Sequence, residues 1–134
     1  ITTFGGHPVC CAAALAGLNA LVEETEPRRD ALPRVSSSST LIEQVKEKEQ
    51  LFLDNFSTSP LVKARRSAGL MMTLEFETHE ICKLVIDRCI ENGVVTDWFL
   101  FAPNCLRIAP PLIITEQQIE ESCTVINQAI DDEA

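Results

Sequence analysis

The sequence has few basic and few aromatic residues. The first shortage limits which partners the chain can bind, and the second limits the composition of its core. Eleven lysines and arginines stand against 20 aspartates and glutamates, so the net charge is -9. Nucleic acids and anionic membranes bind positive surfaces, and the charge therefore argues against both as partners. Aromatic residues make up 5% of the chain and hydrophobic residues 46%, so we expect a mostly aliphatic core.

The sequence also lacks the spacings of common metal and catalytic sites. Its six cysteines form no C-x-x-C pair, and His7 and His79 complete no metal-ligand spacing. No Walker loop, Ser-His-Asp set or paired-carboxylate site is present. Most cysteines stand in apolar contexts such as "EICKLVIDRCI", where a thiol behaves as a small hydrophobic group. We expect no metal site, reduced core thiols and a cytoplasmic location.

The longest apolar run covers residues 9–22, which is too short to span a bilayer and includes Asn19. Pro8 suits the first turn of a helix, and the run predicts a helix to about Glu24 that is apolar on nearly every side. We expect such a helix to be buried against more protein than this chain offers. The first residue is Ile1 rather than Met, so we expect a chain that comes from a longer polypeptide or has been processed.

The rest of the chain predicts an α+β fold. Residues 25–40 contain two prolines and a serine run, typical of an irregular loop or insertion. From residue 41 onward, apolar periodicities predict a helix, a strand, a helix, two strands and a final helix. Cap signals lie at Thr78, at Gly93 and at the Thr115–Gln118 capping box. This order predicts a small antiparallel or mixed sheet with helices on one face.

The opening turn is the first candidate site. Gly5 and Gly6 stand at the amino end of the predicted helix, whose partial positive charge attracts anions. Thr2 and Thr3 offer hydroxyl donors at the same place. The pattern fits either an anion site or a simple tight turn.

Arg107 is the second candidate, because it is a permanent charge inside the apolar segment "CLRIAPPLIIT". Its guanidinium fits a carboxylate bidentately, and that carboxylate belongs either to a ligand or to a structural ion pair. Arg65 and Arg66 precede a bend at Gly69 and are expected to face solvent, or else to contribute to a site. Trp98 and Phe99 of "TDWFLF" are expected to pack in the core, or else to lie near the mouth of a substrate site.

Four segments in this order resemble the carboxyl-terminal third of the class III aminotransferases: "TTFGGHPVCCAAALAGLNAL", "RRSAGLMMTLEF", "GVVTDWF" and "LRIAPPLIITEQQIEES". The resemblance covers nearly the whole chain except about fifteen residues around 25–40. It implies the small domain of a fold type I enzyme, with pyridoxal phosphate as cofactor and an amino acid and a 2-oxo acid as substrates. Residues 1–24 would join the large and small domains, and residues 41–134 would form the small domain.

The resemblance also implies roles for individual residues. Thr3, with Thr2 beside it, would bind the cofactor phosphate of the neighbouring subunit in a homodimer. Arg107 would hold the substrate carboxylate. The family's Schiff-base lysine lies upstream of the Thr3 motif, so no catalytic residue is assigned in this chain, and the isolated chain is expected to be inactive.

The sequence departs from the family pattern at two turns and one insertion. His7 replaces the usual Asn, and Ser67 replaces the first Gly of R-G-x-G, which puts the local bend in doubt. Residues 25–40 lie between helices that usually follow each other closely. A truncated relative that binds or dimerises without catalysis is the alternative interpretation.

Overall fold

The computed structural model describes residues 7–25 and 41–133, and the chain divides between Gln44 and Val45 into two compact units. In chain order the elements are α1 (Pro8–Thr25), α2 (Leu41–Asn55), β1 (Ala64–Ala68), β2 (Met71–Glu75), α3 (His79–Glu91), β3 (Asp97–Phe99), β4 (Ala102–Ile108) and α4 (Glu116–Asp131). No helix in these described ranges combines the length and apolarity needed to cross a bilayer.

Helix α1 begins at Pro8, as the sequence predicts, and the His7 carbonyl accepts the Cys11 N–H at 2.9 Å. Its side chains are exposed through most of its length, with Val9 at 69% and Leu15 at 58%. A helix without a polar face leaves apolar surface in contact with water unless other protein covers it. That α1 is covered by more protein stays a prediction.

The four strands form one antiparallel sheet in the order β1-β2-β4-β3. Strand β1 was not predicted, because its sequence "ARRSA" has no apolar alternation and lies at the sheet edge. A two-residue turn, Gly69 and Leu70, joins β1 to β2, and Gly69 has a φ of +61°. Ser67 lies within β1 itself, so the chain keeps its bend without the family's first glycine.

The core lies between one face of the sheet and the helices of the Val45–Ala134 unit. It is mostly aliphatic, as predicted, and its buried strand and helix residues include Met72, Leu74, Leu106, Ile108, Val85, Ile86, Ile119, Ile126 and Ile130. Three phenylalanines, Phe52, Phe56 and Phe76, complete it. The α+β fold with a small antiparallel sheet is therefore confirmed.

All six cysteines are free, and they fall into two groups. Cys82, Cys89 and Cys123 are buried in the core, as predicted. Cys105 is buried as well, but it lies opposite Glu75 on the other face of the sheet. Cys10 and Cys11 lie on α1 and are exposed, because the helix that carries them is itself exposed.

The predicted helix signals are confirmed. Thr78 caps α3 by accepting the Ile81 N–H at 3.4 Å, and Gly93 follows that helix with a φ of +89°. Thr115 and Gln118 form a reciprocal capping box at the start of α4, with bonds of 3.2 and 3.0 Å. These caps hold the two helices that support the strands carrying the candidate site.

Candidate functional site

A row of polar side chains crosses the sheet on the face away from the core. The strand register pairs Arg66 with Thr73, Thr73 with Arg107, and Arg107 with Asp97. Directly paired residues point to the same face of a sheet, and their neighbours along β2 and β4 are buried in the core. The four side chains therefore lie side by side on the open face.

Arg107 is half-exposed and only loosely paired. Its side chain is 45% exposed, and its Nη2 lies 3.7 Å from Oδ2 of Asp97, whose side chain is 53% exposed. That distance is too long for a hydrogen bond. The direct hydrogen bond at this place comes from Thr96, whose hydroxyl donates to the backbone carbonyl of Arg107 in β4 at 2.5 Å. Of the two predicted partners, the internal carboxylate is present, but it leaves the guanidinium accessible.

Arg66 and Arg65 have structural partners. Arg66 forms a close ion pair with Glu75 at 2.7 Å and approaches the thiol of Cys105 at 3.7 Å. Arg65 donates to the carbonyls of Phe56 and Ser57, just beyond the carboxyl end of α2. A cation stabilises that end of a helix, so Arg65 serves the fold and does not simply face solvent as expected.

A hollow of about 260 Å³ opens beside the carboxyl end of β4. Its lining is largely apolar, and its polar residues are Thr96, Arg107 and Ser122. The apolar lining residues are Phe52, Val94, Val95, Ile108, Ala109, Pro110, Pro111, Ile114 and Ile126. Small-molecule sites commonly combine such an apolar surface with a few polar groups that fix orientation. Most of this lining, including Phe52, Ile108 and Ile126, lies on the core side of the sheet, whereas the Arg107 side chain lies on the open face. The hollow and the guanidinium are therefore two separate features of the sheet.

Thr73 is a residue that sequence reasoning missed. Its hydroxyl oxygen is buried, and it has no hydrogen-bond partner among the described residues. It lies between Arg66 and Arg107 in the cross-strand row. Only the register reveals this position, because nothing in "LMMTLEF" distinguishes Thr73 from an ordinary strand residue.

The remaining predicted site residues divide into those described and those not. Thr2, Thr3, Gly5 and Gly6 lie outside the described residues, so the phosphate site is untested. Trp98 is half-buried and packs against the core, and its ring lies edge-on to His79 with 5.2 Å between the ring centroids. Phe99 is also half-buried but does not belong to the core cluster, so the prediction of core packing holds for Trp98 only in part and not for Phe99.

The chain has four lysines: Lys46 and Lys48 lie on α2, Lys83 lies on α3, and Lys63 immediately precedes β1. Lys48 donates to the Leu112 carbonyl at 2.6 Å, and Lys63 and Lys83 form exposed ion pairs with Glu77 and Asp87. Lys46 is exposed. Their positions do not bring them to the Arg107 row, and the assignment of the family's Schiff-base lysine to a segment upstream of this chain stays a prediction.

The order of segments and the antiparallel sheet agree with the comparisons to known proteins. The family description "Aminotransferase class-III" matches residues 1–130. The chain belongs to the class III aminotransferases. This class III chain is 34% identical over 129 residues to an acetylornithine aminotransferase from Haemophilus ducreyi, a match that covers 96% of the chain.

Solved structures of fold type I aminotransferases resemble the class III chain throughout its length. An omega transaminase from Pseudomonas jessenii has a TM-score of 0.73 at 25% identity and covers the whole chain. An ornithine aminotransferase from Plasmodium yoelii has a TM-score of 0.72 at 24% identity over the whole chain, which shows the shared fold. The chain spans 28% of the Haemophilus relative and 29% and 32% of these two structures.

Proposed function

We propose that this chain is the carboxyl-terminal part of a pyridoxal-phosphate-dependent aminotransferase. The enzyme would transfer an amino group between an amino acid or an ω-amine and a 2-oxo acid. Class III membership supports the reaction, and the observation that carries the chain's own part in it is the half-exposed, loosely paired guanidinium of Arg107.

Arg107 would bind the carboxylate of the substrate. Its planar fork can donate two parallel hydrogen bonds to a carboxylate. Asp97, at 3.7 Å, does not use up those donors. Holding the substrate at its carboxylate fixes where its amine or ketone lies, which lowers the entropic cost of the reaction.

The cofactor, when bound, would act as the electron sink and carry the amino group between the two substrates. Thr3, assisted by Thr2, would donate hydroxyl hydrogen bonds to its phosphate, from the turn that opens the chain. In the homodimer that we propose, this phosphate belongs to the neighbouring subunit. The chain would supply no group that moves the reacting proton, so the isolated chain is proposed to be inactive, and we place the enzyme in the cytoplasm.

The first prediction tests the carboxylate role of Arg107 in the complete enzyme that contains this chain. Arg107→Ala should raise KM for substrates with a carboxylate roughly 10- to 150-fold, because a hydrogen-bonded charge contributes about 1.5 to 3 kcal/mol. Cofactor content, measured by visible absorbance, should stay as in the wild type. Arg107→Lys should restore only part of the loss, since a lysine cannot make the bidentate contact.

Arg88→Ala is the matched control. Arg88 lies on α3 and is 48% exposed, much as Arg107 is at 45%, but it donates to Glu133 at 3.4 Å. Arg88→Ala should leave KM and kcat/KM within about twofold of the wild type, because a surface ion pair contributes little. If Arg107→Ala also left both constants unchanged, Arg107 would not bind the substrate.

A further inference from the structure

Asp97 faces the guanidinium of Arg107 without bonding to it. Its Oδ1 accepts the backbone N–H of Trp98 at 2.8 Å, while its Oδ2 stands 3.7 Å from Nη2 of Arg107. The carboxylate is therefore held by its own strand, next to the arginine. The cross-strand register between β3 and β4 keeps the two residues opposite each other.

We propose that Asp97 is a specificity-determining residue of this site, which weakens the binding of carboxylate ligands to Arg107. The inference rests on the proposed role of Arg107 in binding the substrate. A carboxylate that reaches the guanidinium from solvent comes within a few ångströms of Oδ2 and is repelled by it. Asp97 thereby restricts the site to ligands that make further contacts beyond their carboxylate.

The distances favour repulsion over a supporting role. A carboxylate that orients an arginine does so through hydrogen bonds, and 3.7 Å is beyond that range. The other acidic residue of this face, Glu75, is paired with Arg66 at 2.7 Å, so its charge is largely balanced. Among the described residues of the row, Asp97 therefore carries the negative charge that a ligand of Arg107 meets.

The test compares Asp97→Asn with the wild type in the complete enzyme. Asparagine keeps an oxygen that can accept the Trp98 N–H but removes the charge. We expect the inhibition constant of glutarate, a dicarboxylate with no reacting amine or ketone, to fall about threefold to tenfold at low ionic strength. KM for a carboxylate substrate should fall with it.

High salt and two further variants show whether the lower inhibition constant of glutarate comes from the lost charge of Asp97 or from a change in structure. Near 1 M salt the screening length is about 3 Å, so the gain from Asp97→Asn should largely disappear. Asp97→Glu keeps the charge and should keep the wild-type constant for glutarate within about twofold. Asp87→Asn makes the same substitution in an exposed ion pair on α3, on the helix side of the sheet, and should leave that constant unchanged.

An unchanged or raised glutarate constant in Asp97→Asn would overturn the inference, and so would a gain that does not depend on salt. Arg107→Ala keeps the two proposals apart. If Arg107→Ala raises KM and Asp97→Asn has no effect, the role of Asp97 alone is wrong. If Arg107→Ala leaves KM unchanged, the proposed function of Arg107 fails first.

Discussion

Gly69 determines how β1 turns into β2. Its φ of +61° is a conformation that residues with a Cβ rarely adopt, and a positive φ only at the first position of a two-residue hairpin is the pattern of a type II′ turn. A Cβ built on Gly69 would lie 2.8 Å from Cγ1 of Val45, a half-buried residue of α2. The residue is therefore constrained both by its backbone and by its neighbour.

We predict that Gly69→Ala lowers the free energy of unfolding by about 2 to 4 kcal/mol, from the strained φ and the contact with Val45 together. Gly93→Ala is the control, because Gly93 also has a positive φ, +89°, but has open space where its Cβ would be. It should lose only about 1 kcal/mol. Urea denaturation followed by the fluorescence of Trp98 measures both; equal losses would show that Val45 imposes no constraint.

The partner of Arg107 could be predicted from the sequence only in part. A charge in an apolar strand already indicates a partner, and the resemblance indicates a carboxylate. Which carboxylate lies nearby depends on the register of β3 against β4, and that register includes an irregularity between Trp98 and Phe99. Asp97 is ten residues away in sequence, and only the hairpin brings it to Arg107.

At the scale of whole elements, the helices were predictable because their signals are local. The apolar positions of α3 and α4 repeat with helical spacing, and Thr78 and Thr115 cap them as expected. Strand β1 was missed, because edge strands need no apolar face and "ARRSA" has none. Its strand character comes from backbone pairing with β2, which lies beyond any local pattern.

The capping box of α4 leads to a prediction at this scale. Thr115→Ala should lower the free energy of unfolding by about 1 kcal/mol, because the Gln118 N–H loses its acceptor. Thr124→Ala is the matched control within the same helix, since its hydroxyl bonds only the Glu120 carbonyl. Alanine favours helices, so Thr124→Ala should be within about 0.5 kcal/mol of neutral. Equal losses in urea denaturation would contradict the role of the cap.

At the scale of the whole molecule, the buried thiols link stability to pH. Burial raises the pKa of Cys82 and of Cys123 from 9.0 to about 12, and that of Cys89 to about 11. The folded state therefore retains protons that the unfolded state releases once the pH exceeds 9. Because the unfolded state then binds fewer protons, stability falls as the pH rises.

We predict that the free energy of unfolding loses at most about 1.4 kcal/mol per pH unit for each of these thiols between about pH 9 and 11. Cys123→Ala removes one of the three thiols, so the free energy of unfolding should fall less steeply with pH, by the contribution of that one thiol. Ile119→Val, a packing change in the same helix, should lower stability at every pH without altering the slope. Urea denaturation at a series of pH values measures the slopes, and identical slopes in all three proteins would contradict the prediction.

The sequence alone determined the helix boundaries signalled by caps, the aliphatic core, the burial of most cysteines and the family, because each depends on neighbouring residues or on ordered motifs. The tertiary structure decided what Arg107 faces, that Arg65 supports the end of α2, and that Thr73 lies between two arginines. Those relations join residues on different strands and helices. Their distances are set by hydrogen-bond register and packing, which residue spacing along the chain does not encode.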